Sequence, residues 1–357
     1  MIKIVFTIGT LLTGGAEVFV CNLIKNLDKN KFEKSLIVLD KKNNTFLENI
    51  IEDAGINVYY MNKPDGLSLK TMIKIYRLLK IIKPNIIHGN IGGIIYVLLY
   101  LFFNRNVKAV HTAHTLAKYE FGKYKRIVLK YFYKRGKIIP VVISRNNLAE
   151  FKSTYKLNDF FVKVITNGVD INKFSIERTF NRMPIRIGHV GRFEEVKNHK
   201  MIFLIYEKLL EKGLYVTLRL VGKGSLLNVY KSRYIDDDKV EFIEETSKVE
   251  EELKQIDIFI FPSIYEGMPL ALIEAMASGC VIVASDVGGI NSLIEDGVNG
   301  YKYHYDDINS YVNIMKKLIL NPNKMKEISN NNKKKSKFFS LEVMVKEYED
   351  LYLKEVD

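Results

Sequence analysis

The stretch Ile256 to Gly289, IDIFIFPSIYEGMPLALIEAMASGCVIVASDVGG, leaves the chain little freedom in what it can build. Ile258-Phe259-Ile260-Phe261 is an apolar run with the length and bulk of a buried strand, and Pro262 stops it. A polar loop, Ser263 to Met268, carries Glu266 and Gly267. Pro269 suits the first helical position, where a missing N–H costs nothing, and Leu270 to Ser278 can run as a short helix. Gly279 fits its C-terminal cap, and Val281-Ile282-Val283 reads as the next buried strand. Strand, loop, helix, strand is the unit that sets loops and helix N-termini along one edge of a parallel sheet. The expected class is α/β.

The rest of the chain alternates in the same way. Ile2 to Ile8 reads as a strand, Thr10 to Gly15 as a loop ending in two glycines, and Ala16 to Leu27 as a helix. Strands are expected at Lys34–Leu39, Ile56–Met61, Asn85–His88, Val107–Thr112, Ile138–Ile143 and Val162–Ile165. Helices are expected at Phe46–Ala54, at Leu69–Ile82 and within Tyr119–Arg135, where Gly122 blurs the start. Asn167-Gly168 is a turn signal, and a second array follows it. Its strands are Ile185–Val190, Tyr215–Val221, Val240–Ile243 and Gly300–Tyr303, besides the two already named. Its helices are Asn198–Leu210, Ser225–Tyr234, Ile308–Leu320 and Pro322–Asn330, with a polar Asn-Asn-Lys-Lys-Lys break before a final helix, Leu341–Lys354. At 357 residues there is material for two domains, each with its own core.

Composition excludes several classes. The chain is 47% hydrophobic and 27% charged with 7 prolines, which is globular and not disordered. Cys21 and Cys280 sit in apolar contexts without metal-ligand spacing, as buried small residues in a reducing compartment. Met1 runs straight into a strand, so no leader peptide is expected. Ile91 to Phe103 is nearly all apolar, but thirteen residues at about 1.5 Å each fall short of roughly 30 Å of hydrocarbon. It reads as a buried helix, or one that dips into a membrane surface. Net charge is +13, and residues 1–150 hold 24 Lys and Arg against 10 Asp and Glu, leaving 30 against 31 for the remainder. Such a field favours an anionic partner, although a lysine-rich genome produces the same excess. Around Tyr119–Arg135, lysines and arginines interleave with aromatics, which suits either anionic lipid or a solvated face over a core stripe.

Three groups of residues carry chemistry. Glu266 lies in the loop of the opening stretch and Glu274 on its helix, eight positions on. Ala271 and Ser278 are small helical neighbours of Glu274 and leave room for a ligand. The helix start beneath Gly267 and Met268 offers N–H groups and a positive dipole end to a phosphate. Carboxylates beside an anion site suit a ligand with both hydroxyls and phosphate, which a nucleotide-sugar has; taken alone, the two glutamates are equally ordinary solvated residues. Arg192 and Lys197, at a strand end and a helix start, can converge on one diphosphate, although an exposed Arg and Lys are commonplace. Gly14-Gly15 after the first strand is phosphate-friendly and also a plain tight turn.

EGMPLALIEAMASGCVIVASDVGG resembles the donor-site signature of the GT-B glycosyltransferases of family 4, retaining enzymes that use nucleotide-sugars. GRFEEVKNH is similar to their basic pair, GGAE to their first glycine loop, Asn167-Gly168-Val169-Asp170 to their interdomain hinge, and the final helix to their crossover helix. The resemblance spans essentially the whole chain and implies two Rossmann-like domains facing each other across a cleft. Residues 1–168 plus 339–357 would bind the acceptor, and 169–338 the donor. Arg192 and Lys197 would neutralise the donor diphosphate as it leaves. Glu274 would accept hydrogen bonds from the ribose, and Glu266, with Gly267, Met268 and Leu270 behind Pro269, would hold the sugar and distal phosphate. Gly191 would belong to the donor site with the Arg192 turn. His114 would face the sugar from the opposite domain, and Gly15 would touch phosphate or acceptor.

The same resemblance implies a hexose moved with retention from a nucleotide-sugar, a UDP-sugar first, to a glycan or lipid-linked acceptor in cell-surface polysaccharide or glycolipid synthesis. No cofactor and no metal are implied, since Arg and Lys take the cation's role, and Asp236-Asp237-Asp238 reads as a solvated turn. The expected place is the cytoplasm, peripheral to the inner face of the plasma membrane on an anionic surface. Two departures fall near acceptor or base: Asn90 stands where many members carry a second His after His88, and Lys223 stands where an acidic residue is common. Two alternatives remain: a GT-B-fold nucleotide-sugar epimerase, and a basic nucleic-acid-binding protein, for which charge is the only support and no recognition motif is visible.

Overall fold

The computed structural model describes residues 1–12, 14–158, 161–244, 246 and 248–356. Thr13, inside the expected first loop, lies outside the described residues. The chain divides into two compact units, Met1–Gly168 with Leu341–Asp357, and Val169–Ser340.

Unit 1 is built on seven parallel strands, β1 (Ile2–Ile8), β2 (Phe32–Val38), β3 (Asn57–Tyr60), β4 (Ile86–Asn90), β5 (Lys108–Ala113), β6 (Ile138–Val142) and β7 (Lys163–Val164). They lie in the order β3-β2-β1-β4-β5-β6-β7. Its helices are α1 (Gly15–Asn26), α2 (Phe46–Asp53), α3 (Leu69–Ile82), α4 (Gly93–Phe103), α5 (Ala117–Glu120), α6 (Lys123–Lys134) and α7 (Arg145–Tyr155), and a terminal helix, Leu341–Val356, joins them.

Because successive side chains of a strand point to opposite faces, the sheet feeds two cores. Ile4, Phe6 and Val38 pack with α1, α2 and the terminal helix. Val5, Ile37 and Ala109 pack with α3, α4, α6 and α7. Burial on both faces explains why these strands read as nearly continuous apolar runs. The terminal helix is fixed by a buried polar chain: His88 Nδ1 lies 2.6 Å from the Tyr352 hydroxyl, His88 Nε2 lies 2.8 Å from Thr112 Oγ1, and that oxygen lies 2.8 Å from the Tyr348 hydroxyl. Burial holds His88 far below the usual imidazole range, so the ring is neutral and exchanges one donor and one acceptor with its partners.

Sequence and structure differ here at two places. The basic aromatic stretch is two helices, with Gly122 in an extended conformation capping α6. Helix α7 was not expected. Its signal is Ser144, whose side chain accepts from the Asn147 N–H as an N-cap ahead of Phe151 and Tyr155 on the buried side.

Unit 2 opens with the short helix α8 (Ile171–Phe174) and holds six parallel strands, β8 (Ile185–Val190), β9 (Val216–Val221), β10 (Val240–Ile243), β11 (Ile258–Phe261), β12 (Val281–Ser285) and β13 (Gly300–Tyr303), in the order β10-β9-β8-β11-β12-β13. Helices α9 (His199–Glu211), α10 (Leu227–Arg233), α11 (Val249–Lys254), α12 (Leu270–Ala277), α13 (Ile290–Leu293), α14 (Ile308–Ile319) and α15 (Pro322–Ser336) interleave with them. Strand β8 lies between β9 and β11, so the loops leaving β8 and β11 diverge at the carboxyl edge. Open α/β sheets bind ligands at that position.

The expected break after Asn330 does not occur: α15 runs on to Ser336. Asn332 is fully buried; its Nδ2 donates to the Cys280 carbonyl at 2.8 Å and its Oδ1 accepts from Asn299 at 2.9 Å. Tertiary hydrogen bonding overrides the poor helix propensity of Asn330-Asn331-Asn332. Among the described residues, no helix is long and apolar enough to cross a membrane.

Candidate functional site

The loop after β8 needs glycine at its first position. A Cβ on Gly191 would fall 2.6 Å from His189 Nε2. Phe193 turns inward, fully buried, and stacks on the His199 ring with centroids 3.9 Å apart. The loop after β9 closes on it from the other side. Gly222, at φ +146, would set a Cβ 2.1 Å from the Gly191 carbonyl oxygen, and the Phe193 N–H donates to the Lys223 carbonyl at 2.9 Å. The backbone around Arg192 is therefore clamped, while its side chain is exposed and makes no hydrogen bond or ion pair among the described residues.

Lys197 ends a 3₁₀ turn, Glu195–Lys197, immediately before α9. Its ammonium lies 2.5 Å from Glu266 Oε1 and 5.2 Å from the centre of the Phe261 ring. The two side chains are 18% and 10% exposed, so their attraction is screened much less than on an open surface. Asn198, which no sequence reading singled out, adopts the left-handed conformation at φ 56 and sends Nδ2 to the carbonyls of Pro262 (3.1 Å) and Tyr305 (3.0 Å). It ties the loops leaving β8, β11 and β13 together. Its residue type was the available signal, since asparagine tolerates that conformation better than other side chains.

The Glu266 loop is held by Gly288-Gly289. The Gly289 N–H donates to the Glu266 carbonyl at 3.0 Å. A Cβ at Gly288 would lie 2.0 Å from the Glu266 oxygen, and one at Gly289 would lie 1.8 Å from the Gly267 oxygen. No larger residue fits that approach. Pro269 is the cap of α12, with extended backbone at φ −75 and ψ 112, one position earlier than expected. The first helical position is thus Leu270, which keeps its N–H, and the amides of Gly267 and Leu270 donate to nothing among the described residues. An anion at this helix start meets one donor more than a proline there would allow.

Glu274 sits one turn into α12, half-buried. Burial pushes its pKa up to about 7, with Lys173 pulling down and Glu250 pushing up. Lys173 itself is paired with Glu250 at 3.1 Å. Asp237, in the acidic triplet, accepts from the Tyr206 hydroxyl at 2.9 Å and from the Lys239 N–H at 3.0 Å, as a structural turn. Among the described residues no three His, Cys, Asp or Glu side chains form a cluster able to hold a metal.

In unit 1, His114 follows β5 with Nε2 lying 2.9 Å from Asn90 Oδ1 and the ring edge-on to Phe19. Burial, and then the neighbouring His111, pushes its pKa down to about 3, so the imidazole is neutral. With an oxygen as its partner, Nε2 carries the proton and Nδ1 is left to accept. Asn90, a departure from the resembled pattern, is therefore what positions His114. Gly15 is the exposed first residue of α1, behind an extended Gly14. Thr10 donates to Glu17 Oε1 across that turn at 3.1 Å.

Residues 170–335 match the family described as glycosyl transferases group 1, and residues 13–173 match glycosyltransferase family 4. The chain is 28% identical over 280 residues to the UDP-Gal:alpha-D-GlcNAc-diphosphoundecaprenol alpha-1,3-galactosyltransferase of Escherichia coli, covering 69% of each chain. It is 25% identical to the capsular polysaccharide biosynthesis glycosyltransferase CapH of Staphylococcus aureus, over 99% of both. The structure superposes on that of Anabaena HepE in complex with UDP with a TM-score of 0.84 at 19% identity, covering 99% of this chain and 100% of that one. The two parallel sheets are those of the GT-B glycosyltransferases, and the chain belongs to the group 1, family 4 glycosyltransferases.

Proposed function

We propose that the protein moves a hexose, with retention, from a UDP-sugar to a glycan or lipid-linked acceptor in the synthesis of a cell-surface polysaccharide. The observation that carries this reading is the convergence of Lys197 and Glu266 at the switch point of unit 2. An ammonium has three donors. One goes to Glu266, and two remain for phosphate oxygens. Glu266 retains lone pairs for sugar hydroxyls. The E. coli relative is named for a UDP-galactose donor and a diphosphoundecaprenol acceptor, and the HepE structure holds UDP, which supports the choice of nucleotide and acceptor class.

In this reading the bond between the anomeric carbon and the diphosphate oxygen breaks, and its electron pair stays on the phosphate. Lys197, Arg192 and the amides of Gly267 and Leu270 stabilise that charge as it develops. Glu274, as carboxylate, accepts from the ribose hydroxyls. The departing phosphate takes the acceptor's proton, and the acceptor oxygen bonds to the face the phosphate has left. The neutral His114 can accept a hydrogen bond from a sugar hydroxyl through Nδ1.

A panel of UDP-, GDP- and ADP-sugars scored by thermal stabilisation, followed by NMR assignment of the product anomer, tests this. Stabilisation by UDP-sugars and an unchanged anomeric configuration are expected. Stabilisation by GDP- or ADP-sugars alone overturns the donor, an inverted product overturns retention, and conversion of a nucleotide-sugar without acceptor points to an epimerase.

A further inference from the structure

Among the helices of unit 1, positive charge gathers on one side of the sheet. Helices α3, α5, α6 and α7, with the uncharged α4, carry 12 Lys and Arg against 2 Asp and Glu. On the opposite side, α1, α2 and the terminal helix carry 3 against 9. A genome-wide taste for lysine would not sort charge by face. The two acids on the basic side are turned inward, Glu120 to His111 at 3.0 Å and Glu150 to the N–H groups of Ala117 and Lys118 at 2.9 and 3.1 Å. None of the nine cations of α3 and α6 pairs with a carboxylate among the described residues. Burial, and then Lys134 and Lys156, hold Lys130 below the usual lysine range.

Exposed apolar side chains follow the same division. Helix α6 buries Leu129, Phe132 and Tyr133, yet shows Tyr124, Ile127, Val128 and Tyr131 to solvent, Tyr124 at 84%. Those four recur at i, i+3, i+4 and i+7, a second apolar stripe that faces solvent. On the same side of the sheet, α3 exposes Leu69, Ile73 and Ile81, and α4 ends in exposed Phe102 and Phe103. The acidic side exposes, among large apolar residues on its helices, only Phe46 and Val343.

We infer that the α3–α4–α6 side of unit 1 is a docking surface for an anionic lipid bilayer, with the α6 stripe entering the headgroup region and the lysines and arginines meeting lipid phosphates. Unpaired cations alone would suit any polyanion; cations interleaved with aliphatic and aromatic side chains on helix faces suit a surface that is charged outside and hydrocarbon beneath. This does not rest on the proposed reading of unit 2, and the test needs no turnover.

The full chain is sedimented with phosphatidylcholine vesicles with and without phosphatidylglycerol, at low and high salt. Binding is expected to the anionic vesicles only and to weaken as salt rises. The variant Lys123→Glu/Lys130→Glu/Lys134→Glu should bind them far more weakly, at roughly fivefold per lost cation or more. Tyr124→Ser/Ile127→Ser/Tyr131→Ser should weaken binding roughly tenfold or more, whereas Lys346→Glu on the terminal helix should change little. Every altered side chain in the second variant is exposed, and matched melting curves would show that folding is intact. The inference is overturned by equal binding to neutral vesicles, by wild-type binding in both α6 variants, by duplex DNA or RNA displacing the chain from anionic vesicles at equal affinity, or by a dimer that the serine variant abolishes.

Discussion

The ammonium of Lys197 lies 2.5 Å from Oε1 of Glu266, so a residue from the loop after β8 and one from the loop after β11 are joined before any ligand arrives. The pair fixes the direction of both side chains, and each is short of partners without the other. Lys197→Met and Glu266→Gln should each lower kcat/KM roughly a hundredfold or more. The double variant should be little worse than either single one, because the two act as a unit. Steady-state kinetics on the four proteins checks this, and effects that simply multiply would separate their roles.

Glycine at 289 is required by contact and not by backbone angle. Gly289→Ala sets a methyl carbon 1.8 Å from the Gly267 carbonyl oxygen, so the Glu266 loop must move. Loss of UDP-induced thermal stabilisation is expected, with a melting temperature only a few degrees lower. Unaltered UDP stabilisation in this variant would mean that the loop does not touch the nucleotide.

Glu274 gives the protein a pH signature. Its ordinary pKa of 4.5 is raised to about 7 in the folded chain. Between those values the folded state holds more protons than the unfolded one, so the stability this residue contributes is complete at low pH and is lost as pH rises through about 7. UDP affinity should move the opposite way, rising with pH until the carboxylate forms. Glu274→Gln should flatten both trends and bind UDP roughly tenfold more weakly or worse. Melting curves and titration calorimetry at a series of pH values read the two slopes, and parallel slopes in wild type and variant would remove the ribose assignment.

A fourth outcome concerns metal. With no group of three or more His, Cys, Asp or Glu able to hold a metal among the described residues, transfer is expected to persist in excess EDTA. Activity abolished by the chelator and restored by magnesium would replace Lys197 with a cation in the leaving-group role.

Much of this was legible in the sequence because period and punctuation agreed. The strand at Ile258–Phe261, the helix Leu270–Ala277 with Gly279 just beyond its cap, and the next strand each carried their own local signal. What escaped notice depends on long-range contacts. Nothing local marks Asn332 as a core residue; it is decided by the Cys280 carbonyl, 52 positions away. The same holds for Asn198, which bonds to Pro262 and Tyr305. The sidedness of the lysines was hidden too, since a linear count sums both faces of a sheet that the fold keeps apart.

The tie between His88 and Tyr352 spans 264 positions. Phe6, Phe19 and Phe32 share a core with side chains that leave the ribosome only after all of unit 2 has been made. The first domain to start is thus the last to finish, and a nascent chain stopped short of Leu341 should show a protease-sensitive unit 1 beside an already resistant unit 2. Pulse proteolysis of stalled chains would reveal that order, which makes unit 1, and not unit 2, the point at which a truncated product is recognised and cleared.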